Sequence, residues 1–435
     1  MIFRFRTLVA LVASLLGASA ALGATKNMLN TAMESITADE LYEHVEVLAD
    51  DVYEGRSAGS RGGHAAAQYI IKQLKEYPLA PAGTDGEYVQ TFDEDWRNIL
   101  VLQPGDDPLL GREVIVVGAH YDHVGYGTKN TSYGPVGKIH NGADDNASGV
   151  SVLLETIQAF AKSGLKTRRS ILFAFWDGEE RDLKGSKYWL AHPTIPGEHV
   201  KLAITLDMVG RLRDGKMYVL GTRSGYGLRQ LTSGVVEKPL WLDYDWELSA
   251  NSDHWPFLER KVPIVLLHTG MHDDYHRPSD DVEKMNRDGL RDVSRYLLSM
   301  VIKAANADEL PKFRPAVKNE LSDSRQQAAE RLLPRRSLRN WPANEPRPRL
   351  GLSWRGDEAE PGTVFLTRVI DGTPADAAGL APLDRIQDIN GQPFADAGDF
   401  ERTLFELLDS EADQLTLRVE RNGHVRTVTV KLRSS

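Results

Sequence analysis

The stretch VIVVGAHYDHVG, residues 114–125, begins with an unbroken run of apolar, mostly β-branched side chains and ends in polar ones. A strand exposed on one face alternates apolar and polar residues, whereas a continuously apolar strand is buried on both faces. The runs SILFAFW at residues 170–176 and LAITL at residues 202–206 have the same character. They predict an α/β fold with a mixed, largely parallel sheet covered by helices on both faces.

Further elements alternate along the chain. Strands are predicted at residues 99–102, 113–119, 170–176, 202–206, 217–220 and 263–267. Helices are predicted at residues 37–48, 64–77, 148–162, 185–191, 226–236 and 287–305. Ligands of an open α/β sheet bind at the carboxyl ends of its strands. A functional site is therefore expected there.

Composition limits the classes of function. The chain has 435 residues, a net charge of -10 and no cysteine. This length suits two to three domains. The negative charge argues against nucleic-acid binding, which depends on clustered Lys and Arg. Without cysteine, the chain has no disulfide, thiolate metal site or cysteine nucleophile.

The N-terminus, MIFRFRTLVALVASLLGASA, places two arginines before an apolar run and small residues. This order predicts a cleaved signal peptide at residues 1–20 and a periplasmic or secreted protein. The alternative is an uncleaved membrane anchor. The apolar run from Thr7 to Leu16 is shorter than the roughly 20 residues that span a bilayer, so stable membrane insertion is not expected after signal removal.

A change of composition marks a domain boundary. We expect a main domain over residues 28–310, a linker over 311–347 and a small β-rich domain over 348–435. The linker carries the basic stretches RRSLR and PRPRL, and a helix is predicted there at residues 322–333. In the small domain, strands are predicted at residues 363–369, 385–389, 414–419 and 426–432, and helices at residues 375–378 and 397–408.

Five side chains of metal-binding type lie where predicted strands end or where loops cross the same edge: His120, Asp144, Glu180, Asp207 and His276. Two imidazoles and three carboxylates suit two zinc ions, with manganese or cobalt as alternatives. Asp122 can accept the second ring N–H of His120 and fix that imidazole. Glu179 can act as a general base toward a water molecule.

Structural interpretations of the same residues stay open at this point. Asp144, Asp145 and Ser148 can be turn and helix-capping groups, with Ser148 or Asn146 as the N-cap. We assign capping to the Ala147–Ser148 side and the bridging of two cations to Asp144. The Glu179–Glu180 pair, taken alone, can also be simply solvated.

Seven motifs together resemble the co-catalytic zinc aminopeptidase family over Leu41 to Ala305: EGRSAGSRGG, GAHYDH, NGADDNASG, EERDLKGS, LDMVG, NSDHWPF and YHRPSDD. The relatives of that family include bacterial leucyl-type aminopeptidases, glutamate carboxypeptidase and glutaminyl cyclase. The resemblance implies one metal at His120 and Asp207 and another at Glu180 and His276. It further implies that Asp144 bridges the two, with Glu179 as the general base.

Two further residues are expected to meet the substrate. Asp253 in NSDHWPF, with Asp273 or Asp274, is interpreted as a group that recognises a free α-amino group. Tyr275 could donate to an oxyanion. Ordering of the loop by Asp253 and simple packing of Tyr275 are the structural alternatives.

The stretches RLGLSWRG and VIDGTPADAAGLAPLDRIQDINGQPF resemble a PDZ domain of the type attached to exported bacterial proteases. In that family an extended peptide adds to a sheet edge, and a loop holds its terminal carboxylate. Leu350, Gly351 and Leu352 match this loop. The implied partner is a peptide or a protein C-terminus, and a packing or scaffold role is the alternative.

The sequence thus predicts an exported zinc-dependent aminopeptidase that hydrolyses N-terminal residues from peptides. Glutaminyl cyclisation or carboxypeptidase action on the same scaffold is a second interpretation. A non-catalytic, peptide-binding PDZ protein is a third, which the presence of all five metal-ligating side chains disfavours.

Overall fold

A computed structural model of the chain describes residues 26–93, 95–237 and 239–432. The predicted signal peptide, residues 1–20, lies outside these ranges. The described residues form two compact units. The first comprises residues 26–199, 207–211 and 271–306, and the second comprises residues 200–206, 212–270 and 307–432.

The strands are, in chain order, β1 (Ala80–Pro81), β2 (Val89–Phe92), β3 (Trp96–Gln103), β4 (Val114–His120), β5 (Ser170–Trp176), β6 (Val200–Leu206), β7 (Lys216–Leu220), β8 (Trp241–Asp245), β9 (Ile264–His268), β10 (Leu352–Gly356), β11 (Val364–Val369), β12 (Arg385–Ile389), β13 (Gln414–Arg421) and β14 (His424–Lys431). The helices are α1 (Ala38–Leu48), α2 (Arg61–Leu74), α3 (Gly149–Ser163), α4 (Lys184–Ala191), α5 (Leu228–Thr232), α6 (His254–Glu259), α7 (Arg287–Asn306), α8 (Asp323–Ala329), α9 (Pro374–Ala377) and α10 (Ala397–Asp409).

The strands of the first unit follow the order β1-β3-β5-β4, and β2 also pairs with β3. Strand β5 runs parallel to β4 and antiparallel to β3. In the second unit the order is β6-β9-β7-β8, with β6–β9 and β7–β8 parallel and β7–β9 antiparallel. The predicted mixed α/β sheet with helices is confirmed.

The core of the first unit is built on β4 and β5, which are buried at every residue. The two strands pair in register from Val114–Ser170 to His120–Trp176, so they end level with each other. Each buried Ile, Leu or Phe side chain contributes roughly 1.5–3 kcal/mol to folding. Helix α3 is buried along most of its length, packs on β4 and contacts α1 and α7. This packing fixes the strand ends from which polar side chains emerge.

The second unit also contains an antiparallel five-stranded sheet with the order β10-β11-β12-β13-β14. Its core includes Leu366, Ile386, Phe400 and Leu417, all of which are buried. Phe400 comes from α10, whose apolar face covers this sheet. The small β-rich domain predicted from the sequence therefore has its own apolar core.

Within the second unit, this small domain is joined to residues 212–270 by polar contacts. The guanidinium of Arg229 lies 3.0 Å from the buried carboxylate of Glu420. The Gly234 N–H donates to the Gly423 carbonyl at 2.7 Å. The Glu360 carboxylate accepts the Arg229 N–H at 2.8 Å. The small domain is thus packed on this part of the chain in addition to being connected to it by the linker.

Most predicted elements are confirmed within about three residues. The helix predicted at residues 322–333 is shorter, Asp323–Ala329, and two further differences have local causes. The helix predicted at residues 226–236 spans only Leu228–Thr232, because Ser233 leaves the helical region and Gly234 has a φ of +78°. Strand β8 was not predicted because two of its half-buried positions are aspartates, which are depleted in strands.

No helix within the described ranges is both long enough and apolar enough to cross a lipid bilayer.

Arg56, in the motif EGRSAGSRGG, is buried and binds only backbone carbonyls. Its guanidinium donates to Leu48 O and Asn141 O at 2.6 Å and to Tyr121 O and Gly142 O at 2.9 Å. Burial lowers the pKa of Arg56 to about 10, with Asp145 and other carboxylates opposing that shift. The side chain therefore stays charged near neutral pH and ties together segments that flank the polar strand ends.

Replacement of Arg56 by Met tests this function. The variant removes a donor from four carbonyls, of which Gly142 O keeps the Ala147 N–H at 3.2 Å, and each buried carbonyl left without a donor costs about 1–3 kcal/mol. We expect the free energy of unfolding to fall by at least about 3 kcal/mol in urea titrations. The matched control is Arg61→Met, which removes an arginine exposed to solvent from the same motif and should leave the urea midpoint nearly unchanged. Equal midpoints for Arg56→Met and wild type would contradict the prediction.

Candidate metal centre

Polar side chains of the first unit converge in two groups at the ends of its buried strands. One group contains His123, Asp145, Glu180 and His276, and the other contains His120, Glu179 and Asp207. Within each group, the atoms able to bind a metal lie within 4.8 Å of one another. Four of the five metal ligands predicted from the sequence are therefore brought together.

The strands explain why these residues meet. His120 is the last residue of β4, and the chain leaves the adjacent β5 through Asp177 and Gly178 into Glu179 and Glu180. Gly178 has a φ of +71°, a conformation that other residues seldom adopt. Since β4 and β5 end level, the imidazole and the two carboxylates reach the same edge.

Asp145 belongs to the first group and also approaches His120 of the second. Its Oδ1 atom is 3.3 Å from His120 Nε2, and its Oδ2 atom is 3.2 Å from His276 Nε2. The residue sits in the irregular turn Ala143–Ser148, in which the Asp145–Asn146 peptide bond is cis. Its two oxygens thus point toward different imidazoles, as a carboxylate that bridges two cations requires.

The structure does not support Asp144 as the bridging residue. Its Oδ1 accepts the Gly210 N–H at 2.6 Å, and its Oδ2 lies 3.1 Å from Nε2 of His272. Asp144 belongs to neither group. Asp144 and Asp145 are adjacent, and only the backbone path of the turn decides which carboxylate faces the imidazoles. The predicted capping also differs, because the Asn146 side-chain oxygen accepts the Gly149 N–H at 3.0 Å.

Asp280, a residue that the sequence reasoning missed, holds the backbone of the bridging turn. Its Oδ2 accepts the N–H groups of Asp144 and Asp145, both at 3.0 Å. Its Oδ1 is bound by Arg211 at 2.6 Å, and the same guanidinium binds Asp274. The motif YHRPSDD contains Asp280, and Asp274 directly precedes it. The signal that could have identified Asp280 is that a buried aspartate needs hydrogen-bond donors.

Asp122 acts on the backbone more directly than on the imidazole. Its carboxylate accepts the N–H of Glu179 at 3.0 Å and the N–H of Glu180 at 3.3 Å. His120 Nδ1 lies 3.1 Å from the Asp122 carbonyl oxygen but 3.7 Å from its carboxylate. The predicted orientation of His120 thus comes from the carbonyl, and the carboxylate positions the glutamate pair.

The predicted substrate-binding residues lie in different units. The Tyr275 ring stacks on the His276 ring with centroids 3.9 Å apart, beside the centre. Asp253 belongs to the second unit, where it is buried immediately before α6. Asp273 is exposed, and Asp274 is bound by Arg211 and Lys284.

The electrostatics of the centre raise the pKa values of His120 and His276 and lower that of Glu180. Burial lowers the pKa of His276, but Asp145 and Glu180 outweigh it and raise the value to about 10. Burial and the charge of Asp145 raise the pKa of Glu180, yet the nearby imidazoles of His123 and His276 bring it to about 2. The pKa of His120 is likewise raised, since Glu179 and the nearby aspartates overcome burial. Protons on the imidazoles thus supply positive charge that a cation can replace.

The donor set fits divalent cations. Asp145 Oδ2 and His276 Nε2 face each other, and both are buried without a hydrogen-bond partner among the described residues. Buried polar atoms of native proteins almost always have partners. Imidazole nitrogens and carboxylate oxygens in one cluster are ligands typical of zinc.

The small domain places Leu350, Gly351 and Leu352 at the start of its edge strand. Leu350 is buried and its carbonyl accepts the Ala375 N–H at 3.2 Å. Gly351 has a φ of +88°, and a Cβ there would overlap the Thr373 side chain. Leu352 is the first residue of β10, whereas the sequence analysis assigned it to a loop and predicted no strand there. Only glycine fits at residue 351.

Comparison with known proteins gives two matches to protein families. Residues 98–301 match peptidase family M28, and residues 348–432 match the PDZ domain. A probable leucine aminopeptidase of Trichophyton verrucosum is 23% identical over 301 residues, which are 66% of this chain and 78% of that protein. The leupeptin-inactivating enzyme 1 of Streptomyces exfoliatus is 25% identical, over 53% of this chain and 47% of that protein.

A solved structure has a similar fold. The LapA aminopeptidase of Legionella pneumophila superimposes with a TM-score of 0.52 at 21% identity, over 65% of this chain and 75% of that chain. The fold and the family matches together define a metallo-exopeptidase domain followed by a PDZ domain. Residues 98–301, a little under half of the chain, match the model of peptidase family M28. The resemblance read from the sequence is confirmed.

Alanine substitution distinguishes the two adjacent aspartates. Asp145→Ala removes the carboxylate whose oxygens face His120 and His276, so the purified protein should hold less zinc than wild type. Asp144→Ala removes a partner of the Gly210 N–H, which should lower stability by about 1–3 kcal/mol while bound zinc is kept. Elemental analysis after dialysis measures both. Zinc content that falls with Asp144→Ala but not with Asp145→Ala would show the assignment to be wrong.

Proposed function

We propose that this protein is an exported aminopeptidase that removes N-terminal residues from peptides and uses two zinc ions at this centre. The observation that carries the proposal is Asp145, whose two oxygens face His120 and His276 in a chain that matches peptidase family M28. Relatives named as leucine aminopeptidases support the reaction type.

Two sets of ligands are proposed. One cation would be held by His120, Asp207 and Asp145, and the other by Asp145, Glu180 and His276. When bound, the cations would polarise the scissile carbonyl and make a water molecule more acidic. This pair of functions suits the hydrolysis of an amide, whose carbonyl is a poor electrophile.

Glu179 is proposed as the general base. It shares a group with His120 and Asp207, and Asp122 holds its backbone N–H. The Glu179 carboxylate would take a proton from the attacking water and return it to the departing amine. A fixed backbone keeps this carboxylate aimed at the reacting atoms, so Asp122 contributes to catalysis by positioning Glu179.

Tyr275 and Asp253 are proposed to bind the substrate. The Tyr275 ring lies against His276, and its hydroxyl would donate to the oxyanion that forms from the scissile carbonyl. Asp253 is proposed, from the motif NSDHWPF, to bind the free α-amino group of the substrate.

Two proposals concern the rest of the chain. The PDZ domain would bind an extended peptide or a protein C-terminus along β10, with the backbone at Leu350, Gly351 and Leu352 holding the terminal carboxylate. Its edge strand β10 pairs only with β11 among the described strands, which leaves one side for a peptide.

Export would follow from the predicted signal peptide at residues 1–20, in line with a periplasmic or secreted location.

The Glu179→Gln variant tests the proposed base. The amide cannot accept a proton, so kcat should fall by about 100-fold to 10,000-fold while zinc content stays at the wild-type value. Asp182→Asn, an exposed position of the same loop, serves as the matched control and should keep wild-type kcat. Activity of Glu179→Gln within a few fold of wild type would refute the role of this carboxylate.

A panel of peptides tests the reaction type. Aminoacyl anilides and peptides with a free N-terminus should be cleaved, and the same peptides acetylated at the N-terminus should not. Cleavage of acetylated peptides from the C-terminus would favour a carboxypeptidase, and cyclisation of N-terminal glutamine would favour a glutaminyl cyclase. Zinc-loaded protein that binds peptides at its PDZ domain and turns over none of these substrates would support the non-catalytic interpretation.

A further inference from the structure

His123 is the one member of the two groups that neither the sequence reasoning nor the proposed pair of ligand sets uses. It lies three residues after His120, where the chain has left β4, and it is buried. Its Nδ1 atom is 2.8 Å from Glu180 Oε1 and 3.7 Å from Asp145 Oδ2. Its Nε2 atom has no hydrogen-bond partner among the described residues.

The distances around His123 match a coordination shell. Ligand atoms about 2.0–2.1 Å from a tetrahedral zinc are separated from each other by roughly 3.3 Å. His276 Nε2 is 3.2 Å from both Asp145 Oδ2 and Glu180 Oε1. The two distances from His123 Nδ1, 2.8 and 3.7 Å, lie on either side of the ideal separation. All four atoms lie within 4.8 Å of one another, close enough to bind a single cation.

The two imidazole rings also approach as ligands of one ion do. The His123 and His276 rings meet edge to face, with centroids 5.4 Å apart and planes at 84°. Two imidazoles and two carboxylates give this group four protein donors. The group of His120 and Asp207, with Asp145 shared, has three donors besides Glu179. Zinc sites with four protein ligands are closed, whereas catalytic sites keep a position open.

We propose that His123 binds the cation of Asp145, Glu180 and His276 through Nδ1, as its fourth protein ligand. That cation is then held tightly in a closed shell, and the cation at His120 and Asp207 is held more weakly and keeps the open position. This inference rests on the proposed two-zinc function and assigns a different role to each cation. The cation in the closed site stabilises the centre, and the cation in the open site beside Glu179 binds the water and the substrate.

The alternative is a hydrogen bond from the Nδ1–H group of His123 to Glu180. Three substitutions separate the two roles. The side-chain amide in His123→Asn can donate the same hydrogen bond but is a poor zinc ligand. His123→Ala removes both functions. His123→Cys supplies a thiolate, which binds zinc strongly but cannot reproduce the N–H donor. His192→Asn, at an exposed histidine that follows α4, is the control.

Zinc binding to metal-free protein is measured by calorimetry or by competition with a chelating dye. Wild type and the His192→Asn control should show two affinities. His123→Ala and His123→Asn should both weaken the tight phase by more than about 100-fold, beyond the 10-fold to 100-fold typical of a lost outer hydrogen bond. Circular dichroism of each metal-free variant checks that it is folded.

Cobalt(II) provides a spectroscopic signature that does not depend on activity. The chain contains no cysteine, so a thiolate-to-cobalt charge-transfer band in His123→Cys has a single source. This band should appear with the first equivalent of cobalt. Its appearance together with restored tight binding supports direct ligation.

Wild-type zinc affinity in His123→Asn, or the absence of the charge-transfer band in folded His123→Cys, would overturn the role of His123. The proposed function would still stand if the wild-type protein bound two zinc ions and cleaved free N-termini. Wild-type protein that takes up no zinc at all would instead remove both proposals.

Discussion

The need to neutralise buried carboxylates at the ends of buried strands governs this part of the molecule. Asp145, Glu180 and Asp207 lie beside apolar strands together with three imidazoles. Isolated carboxylates would be costly there, and a cation is the compact way to offset them. Asp145 is central to the site because its two oxygens lie close to imidazoles of both groups.

Three charged side chains position this centre by binding backbone. Arg56 donates to four carbonyls of the surrounding segments, Asp122 accepts N–H groups of the glutamate pair, and Asp280 accepts N–H groups of the bridging turn. Each is buried. Carbonyls and N–H groups thus receive partners that no regular strand or helix could provide at an irregular turn. The ligands are fixed through the main chain that carries them.

The apolar strands and the family could be predicted from the sequence because both depend on local patterns. β5 was predicted at its observed bounds, because a run of seven apolar or small residues has the length of a buried strand and is too short for a typical helix. The choice between Asp144 and Asp145 could not be predicted, because it depends on the dihedral angles of one turn. His123 was missed because a histidine after a strand looks like a polar rim residue until Glu180 is seen 2.8 Å away. The position of Asp253 depends on long-range packing that no local pattern records.

The Arg229–Glu420 pair makes the second unit depend on its PDZ domain. Both side chains are largely buried where the small domain meets residues 212–270, and an unpaired charge there would oppose folding. A protein truncated before the PDZ domain would therefore keep the Arg229 guanidinium without the carboxylate of Glu420, so the two parts of this unit are thermodynamically coupled.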